Sequence, residues 1–321
     1  MQAYPFIFEP IYRTRIWGGQ NLARLFGRDL PYGEPIGESW ELADLDEGTS
    51  LLANGPEAGA TLAWLTHQLG VELLGTAPTA ANGRFPLLLK LLDASQILSL
   101  QVHPDAATAS AIGGGATAKT ECWYVLESRD GSIYKGLKPG VTAEQFRRAI
   151  REDRASELVR HLEVRAGDFH HLPAGMVHAI GAGLVVAEVQ TASDTTYRVS
   201  DWGRGREVHV EQAMRSIHFG PTDEAAPGAE GERLLATAAF DVALRRLGPG
   251  HSLSSPRGVC QAVMMIDGEA AAVHNGPTEQ VVELRPGRTV LLPAALDGSA
   301  IRTNVGGRYL EITIPGSGQE G

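Results

Sequence analysis

Short apolar runs broken by turn residues recur along the whole chain, and they constrain the fold more than any other feature. PLLLKLLD (86–93), QILSLQVH (96–103), CWYVLES (122–128), GLVVAEVQ (183–190) and QAVMMIDGEA (261–270) are each of strand length. The 38 glycines and 18 prolines are spread throughout, so each run is closed by a turn. This is the pattern of β-sandwiches and barrels. Two segments break it. TLAWLTHQLGVELLG (61–75) places Leu62, Leu65, Leu69 and Leu73 on one helical side. TAEQFRRAIREDRASELVRHL (142–162) opens with a Thr142-x-x-Gln145 capping box, and Phe146, Ile150, Leu158 and Leu162 then recur at helical spacing.

At 321 residues the chain is long enough for about two domains of ~100–200 residues. GPTDEAAPGAEGE (220–232) is rich in Gly, Pro, Ala and acid and reads as a linker or long surface loop. We therefore expect one domain over 1–220, a linker over 221–232 and a second β domain over 233–321. A faint internal echo is either a chance match or the mark of a second β-barrel of similar design without the site. Gly167-x5-Pro173 in GDFHHLP recurs as Gly287-x5-Pro293 in GRTVLLP, and only the first copy carries histidines.

The net charge of −10 disfavours nucleic acid and anionic membrane as general partners. An anionic substrate would need cations placed locally. Two cysteines, Cys122 and Cys260, argue against a disulfide scaffold and fit a reduced, cytoplasmic setting. The N-terminus MQAYPFIFEPIYRTRIWGG does not read as a signal peptide, and no apolar segment approaches the ~18–20 residues of a membrane span. The partner expected is a small molecule, and the chain a monomer or small homo-oligomer.

Residues with chemical potential concentrate in four stretches. In LSLQVHPD (98–105) strict alternation puts Ser99, Gln101 and His103 on one strand face, where two side chains at i, i+2 project in parallel and can share a metal. The alternative is a half-solvated strand. In AKTECWYVL (118–126) Lys119, Glu121 and Trp123 share a face. A Lys–Glu pair is usually a surface feature of little energetic weight. The apolar and aromatic residues that follow point instead to a buried carboxylate, which needs a cation or a metal. GDFHHLPAGMVHAIG (167–181) holds three histidines. His170 and His171 are adjacent and must face opposite ways on a strand, so they cannot act together. His178 follows the Pro173-Ala174-Gly175 turn and is placed to enter a barrel mouth, the alternative being a structural histidine. In GLVVAEVQTASDTTYRVSDWGR (183–204) Glu188 and Gln190 share the face of a Val-rich strand, so Glu188 needs a buried partner. Arg198 is either that partner or an anion clamp.

These stretches resemble a known family. GDFHHLPAGMVH fits the second cupin motif, G-x5-P-x-G-x2-H. QVHPD, KTECW, PAGMVHAIGAG and SDTTYRVSDWGR, with IWGG and IGESWEL upstream, are together similar to the short bacterial type I phosphomannose isomerases. The resemblance runs over about residues 5–215 and is vague from 220 onward. It implies a mainly β architecture: a cupin jelly-roll barrel with short helical insertions, followed by a degenerate cupin-like barrel without a metal site. It implies a zinc-dependent isomerase, with one Zn2+ per chain, interconverting mannose 6-phosphate and fructose 6-phosphate through an enediol(ate). Carried over residue by residue, the metal ligands fall on Gln101, His103, Glu121 and His178. The catalytic arginine falls on Arg198, the active-site lysines on Lys119 and Lys90, and the proton-moving acid on Glu188. Lys90, Lys119 and Arg198 are the cations available to the phosphate. His170 and His171 are not carried over and read as wall or packing residues. The sequence departs from cupins at large, with Ala182 in place of a closing asparagine and Gln101-x-His103 in place of two close histidines. Both departures agree with the isomerase branch.

Two rival readings share parts of this pattern. Two histidines and a carboxylate also describe the facial triad of non-haem Fe(II) oxygenases. A fourth ligand at Gln101 and a cluster of cations are not what an oxygenase on an apolar substrate needs. A sugar-binding cupin without catalysis is the other, and an intact ligand set argues against it.

Overall fold

The computed structural model describes residues 3–80, 83–220, 233–275 and 279–316. It shows two antiparallel jelly-roll barrels of the same design, so the mainly β cupin architecture expected from the sequence is the one the chain adopts. In the first barrel, one sheet orders its strands Phe169–Leu172, Glu121–Ser128, Leu184–Thr191 and Leu87–Ala94, and extends through Ile36–Leu42 to Ile11–Gly19. The facing sheet runs Val159–Glu163, Ser132–Leu137, His178–Ile180, Leu100–Val102 and Tyr197–Ser200. The second barrel repeats the order with Thr289–Leu292, Gln261–Gly268, Gly307–Thr313 and Asp241–Leu247, faced by Glu279–Leu284, Ala270–Asn275, Ser299–Arg302 and Ser252–Ser254.

The internal echo lands on equivalent strands. Gly167 and Gly287 both adopt positive φ (96° and 80°). The strands after them, Phe169–Leu172 and Thr289–Leu292, pair with equivalent neighbours and stop at Pro173 and Pro293. The expected linker over 221–232 lies outside the described residues. At the other end of the chain, Phe6 and Ile7 pair with Leu291 and Val290, so the start of the chain forms an edge strand of the second barrel.

The two barrels pack back to back through their larger sheets. Leu87, Leu89, Leu91, Ala187 and Val189 share one apolar core with Val242, Leu244, Leu310 and Ile312. Strand alternation sends the other set of side chains inward, where Leu92, Trp123, Val125 and Val186 fill the first barrel. This explains why PLLLKLLD is almost continuously apolar: both faces of its strand are buried. Lys90 is the exception, and it points into the barrel.

Two helical expectations need adjustment. Thr61 caps Leu62–Leu69 as its hydroxyl accepts from the Trp64 amide. Gly70 at φ 49° then breaks the helix before Val71–Leu74, although Leu62, Leu65, Leu69 and Leu73 are all buried together as expected. The pattern over 142–162 overreaches. Both bonds of the capping box form, but the helix covers only Ala143–Arg151. Asp153 at φ 53° ends it, a 3-10 turn covers Ala155–Leu158, and Val159–Glu163 is a strand. Leu162 pairs with Ile133, so strand pairing overrides the local helical spacing there. The strand over 96–103 is likewise shorter than expected, with a regular ladder only over Leu100–Val102.

Candidate metal centre

His103, Glu121 and His178 converge inside the first barrel. Their ligand atoms all lie within 4.8 Å of one another, and the three side chains are buried. His178 Nε2 is 3.2 Å from Glu121 Oε1, and His103 Nε2 is 3.4 Å from Glu121 Oε2. Each residue arrives from a different piece of chain. Glu121 opens the strand Glu121–Ser128, His103 follows Leu100–Val102, and His178 opens His178–Ile180.

The turn between Pro173 and Gly175 aligns them. Gly175 adopts φ 85°, where a side chain is strained. A Cβ there would sit 2.4 Å from the His218 ring. The Gly175 amide donates to the His103 carbonyl at 2.8 Å, tying the two histidine-bearing segments together.

Both histidines are oriented from behind. Nδ1 of His103 is 2.8 Å from the Thr195 carbonyl, and Nδ1 of His178 is 2.8 Å from the Met176 carbonyl. A proton on Nδ1 satisfies each carbonyl and leaves each Nε2 as a lone pair aimed at the centre. Burial first, and then Lys119, push His103 down to about 3, so it is neutral at working pH. Burial alone would raise the Glu121 carboxyl, but Lys119 and the two histidines hold it well below the usual carboxylate range. Among the described residues, His103 Nε2 and both Glu121 oxygens are buried with no aligned hydrogen-bond donor. The Lys119 ammonium lies 2.8 Å from Glu121 Oε2 as an ion pair without hydrogen-bond alignment. Two imidazoles and one carboxylate, with His103 Nε2 and both carboxylate oxygens free of aligned donors among the described residues, suit a divalent metal such as Zn2+.

Gln101 stands across the ladder from His178, and its amide is 3.4 Å from His178 Nε2. Amide oxygen and nitrogen exchange by a half-turn, so this side chain can present an oxygen to the same centre. His170 and His171 lie opposite Trp123 and Cys122 and do not belong to the cluster.

A cavity of about 360 Å3 opens beside the centre. Its lining includes five cations, Arg15, Lys90, Lys119, Arg198 and Arg206, against two carboxylates, Glu38 and Glu188. Four of the five are ion-paired, Arg15 with Glu38, Lys90 with Glu188, Lys119 with Glu121 and Arg206 with Asp201, and Arg198 is the one without a carboxylate partner among the described residues. Lys90 is committed: its ammonium donates to Glu188 Oε1 at 3.0 Å and to Gln190 Oε1 at 2.8 Å, with Glu38 at 3.9 Å. Burial works against its charge, but Glu188 and Glu38 outweigh burial and raise it. The second Glu188 oxygen accepts from Trp123 Nε1 at 3.0 Å. The buried partners of Glu188 are therefore Lys90 and Trp123 rather than Arg198. Arg198 pairs in register with Gln101 and donates from Nη1 to the Glu207 carbonyl at 2.6 Å. Its Nε is buried with no hydrogen-bond partner among the described residues. Burial and the nearby Arg206 both lower it, while Asp201, held by Arg206 at 2.5 Å, works the other way.

The sequence reading passes over Glu38, Arg15 and Arg206. Glu38 accepts from Arg15 at 2.6 Å and from Trp40 Nε1 at 2.7 Å. Burial raises it, and Lys90 and Arg15 more than reverse that. Its signal was present in IGESWEL, where two carboxylates alternate in a strand whose every residue is buried.

Two barrels, one of them centred on a buried His–Glu–His cluster beside a polar cavity, define a bicupin fold with one candidate metal site among the described residues. The phosphomannose isomerase type I catalytic domain matches residues 6–147. Mannose-6-phosphate isomerase ManA of Bacillus subtilis is 35% identical over 312 residues, covering 92% of this chain and 95% of that protein. The probable mannose-6-phosphate isomerase GmuF of the same organism is 38% identical over 223 residues, 67% and 68% of the two chains. The crystal structure of mannose 6-phosphate isomerase from Bacillus subtilis superposes with a TM-score of 0.84 at 29% identity, over 98% of this chain and all of that one. The chain belongs to the type I phosphomannose isomerase family.

Proposed function

We propose that the chain is a zinc-dependent isomerase that interconverts mannose 6-phosphate and fructose 6-phosphate through an enediol(ate). One Zn2+ per chain is held by His103, Glu121, His178 and the amide oxygen of Gln101. The observation that carries this reading is the buried Glu121 carboxylate with two aimed imidazole lone pairs and no aligned donor, set against a cationic cavity. When bound, the metal supplies Lewis-acid stabilisation of negative charge that develops on the sugar oxygens.

The chain's own residues do the rest. Lys119 neutralises Glu121 and presents an ammonium at the edge of the cavity. Arg198 offers its guanidinium to an anion and also stands beside Gln101, where it stabilises charge during proton transfer, while Arg206 is held by Asp201. Glu188, held between Lys90 and Trp123, is the acid–base residue that moves a proton between C1 and C2. Lys90 keeps Glu188 and Glu38 paired and thereby sets their orientation. An oxygenase acting on an apolar substrate has no use for so cationic a cavity.

The division of labour follows the same reading. Residues 1–220 carry catalysis, 221–232 link, and 233–321 form the companion barrel. We assign a cytoplasmic location and a monomer or small homo-oligomer. No helix among the described residues is long and apolar enough to cross a membrane.

A coupled assay after chelation and restoration with single divalent ions tests the proposal. Loss of mannose-6-phosphate isomerisation on chelation and recovery with Zn2+ is expected. Full activity in metal-free protein, or no isomerisation when metal-replete, would overturn it.

A further inference from the structure

The second barrel has a cavity at the place where the first has its cationic one. Register sets the equivalence. Glu121 lies between Leu172 and Gln190, and Gln261 lies between Leu292 and Thr313. Lys90 opposes Glu188, and Ala243 opposes Glu311. His178-Ala179-Ile180 corresponds to Ser299-Ala300-Ile301 at the start of equivalent strands. In the second barrel the carboxylate and imidazole of the centre thus become a neutral amide and a hydroxyl, and Lys90 becomes a methyl group. The barrel end is left roomy, with a cavity of about 460 Å3, well within the roughly 300–1,000 Å3 of small-molecule sites.

Its lining is polar but electrically balanced. Arg245 donates to Glu311 from Nη2 at 2.5 Å and from Nε at 3.1 Å, and Glu311 is only 8% exposed. Nearer the rim Arg233 meets Asp241 at 3.2 Å. These two pairs are the only charged residues lining it among the described residues. Next to Thr313 in the ladder, on the inner face, Gln261 is 1% exposed and its Oε1 has no hydrogen-bond partner among the described residues. Leu74, Leu253 and Val259 supply apolar wall.

We propose that this cavity binds a neutral polyol, an unphosphorylated hexose or hexitol. A hydroxyl both donates and accepts, so it can add to either guanidinium–carboxylate pair without upsetting the charge balance. An anion would meet Glu311 and Asp241, and a cation would meet two guanidiniums. The apolar wall suits the C–H face of the same ligand. The two barrels then divide sugar chemistry by charge, the first taking the phosphate ester and the second the free polyol.

The test uses the full chain with methyl-labelled Leu and Val, titrated with D-mannitol, which has no carbonyl to isomerise. The methyls of Leu74, Leu253 and Val259 should shift saturably. Those of Leu92 and Leu98, which line the catalytic cavity, report separately on any binding there. Mannitol 1-phosphate should act at the first group roughly tenfold more weakly or worse. Ser254→Trp, at an exposed lining position, should abolish the mannitol shifts while leaving isomerase activity unchanged. Silence of Leu74, Leu253 and Val259 in the wild type overturns the proposal. So does equal binding of the phosphate ester, or unchanged mannitol shifts in folded Ser254→Trp.

Discussion

Gln101 and His178 face each other directly across the ladder between Leu100–Val102 and His178–Ile180, with amide and imidazole 3.4 Å apart. A strand pair thus brings two side chains of the proposed ligand set to one point. His178→Ala should remove the metal and the activity together. Gln101→Leu should keep the fold and weaken metal retention by roughly tenfold or more, the range seen when a ligand sphere is disturbed. Metal content after dialysis against a chelator series decides this, and unchanged retention in Gln101→Leu would remove it from the ligand set.

Arg198→Ala should retain metal and lose about a hundredfold or more in kcat, typical of a lost electrostatic stabiliser. The measurement pairs metal analysis with steady-state kinetics. A rise in KM alone would confine Arg198 to phosphate binding.

Lys90→Met leaves Glu188 and Glu38 facing each other without their shared cation. Breaking a buried pair from one side costs about 3–5 kcal/mol, so a large fall in urea midpoint is expected. Lys90→Met with Glu188→Gln should recover part of it. A double-mutant cycle reads the coupling.

Gly175→Ala meets two obstacles, the positive φ and the His218 ring. We expect destabilisation of about 1–3 kcal/mol. Adding His218→Ala should relieve the contact but not the backbone strain, so only partial recovery of the melting temperature is predicted.

Burial, helped by Lys135, pushes His171 down to about 4, against an unfolded value near 6.5. Below pH 6.5 the unfolded chain takes up a proton that the folded chain refuses. His171 therefore favours the fold fully above pH 6.5 and loses that contribution progressively as pH falls towards 4. Melting temperature against pH should fall across this window. His171→Phe should flatten the slope while leaving metal content unchanged. An identical slope in the variant would show that other groups set it.

Much of the candidate site was legible because strands are regular. Parity alone separated His170 from His171 and put Gln101 beside His103, and the motif glycine marked the turn before His178. What escaped were partners chosen by three-dimensional proximity. Glu188 found Lys90 98 residues away in sequence, on the adjacent strand of the sheet, and nothing local told Lys90 from Arg198. Glu38 sat in a quoted motif, yet its pairing with Arg15 depends on a bulged neighbouring strand. The helix expected through 142–162 failed for a related reason. Leu162 satisfies a helical spacing, but the open edge of Ser132–Leu137 offers it a ladder partner. The doubled architecture left only a seven-residue trace, because β-barrels reuse a register more readily than a sequence.

The pairing of Phe6 and Ile7 with Leu291 and Val290 has a consequence for biosynthesis. The ribosome delivers the first of these strands nearly the whole chain before its partner. Until then the first barrel also lacks cover for Leu87, Leu89 and Leu91. Closure of so long a loop makes this a high-contact-order fold, slow by topology and exposed while it waits. The face of the first sheet that meets the second barrel thus completes its burial only when the last strands are made.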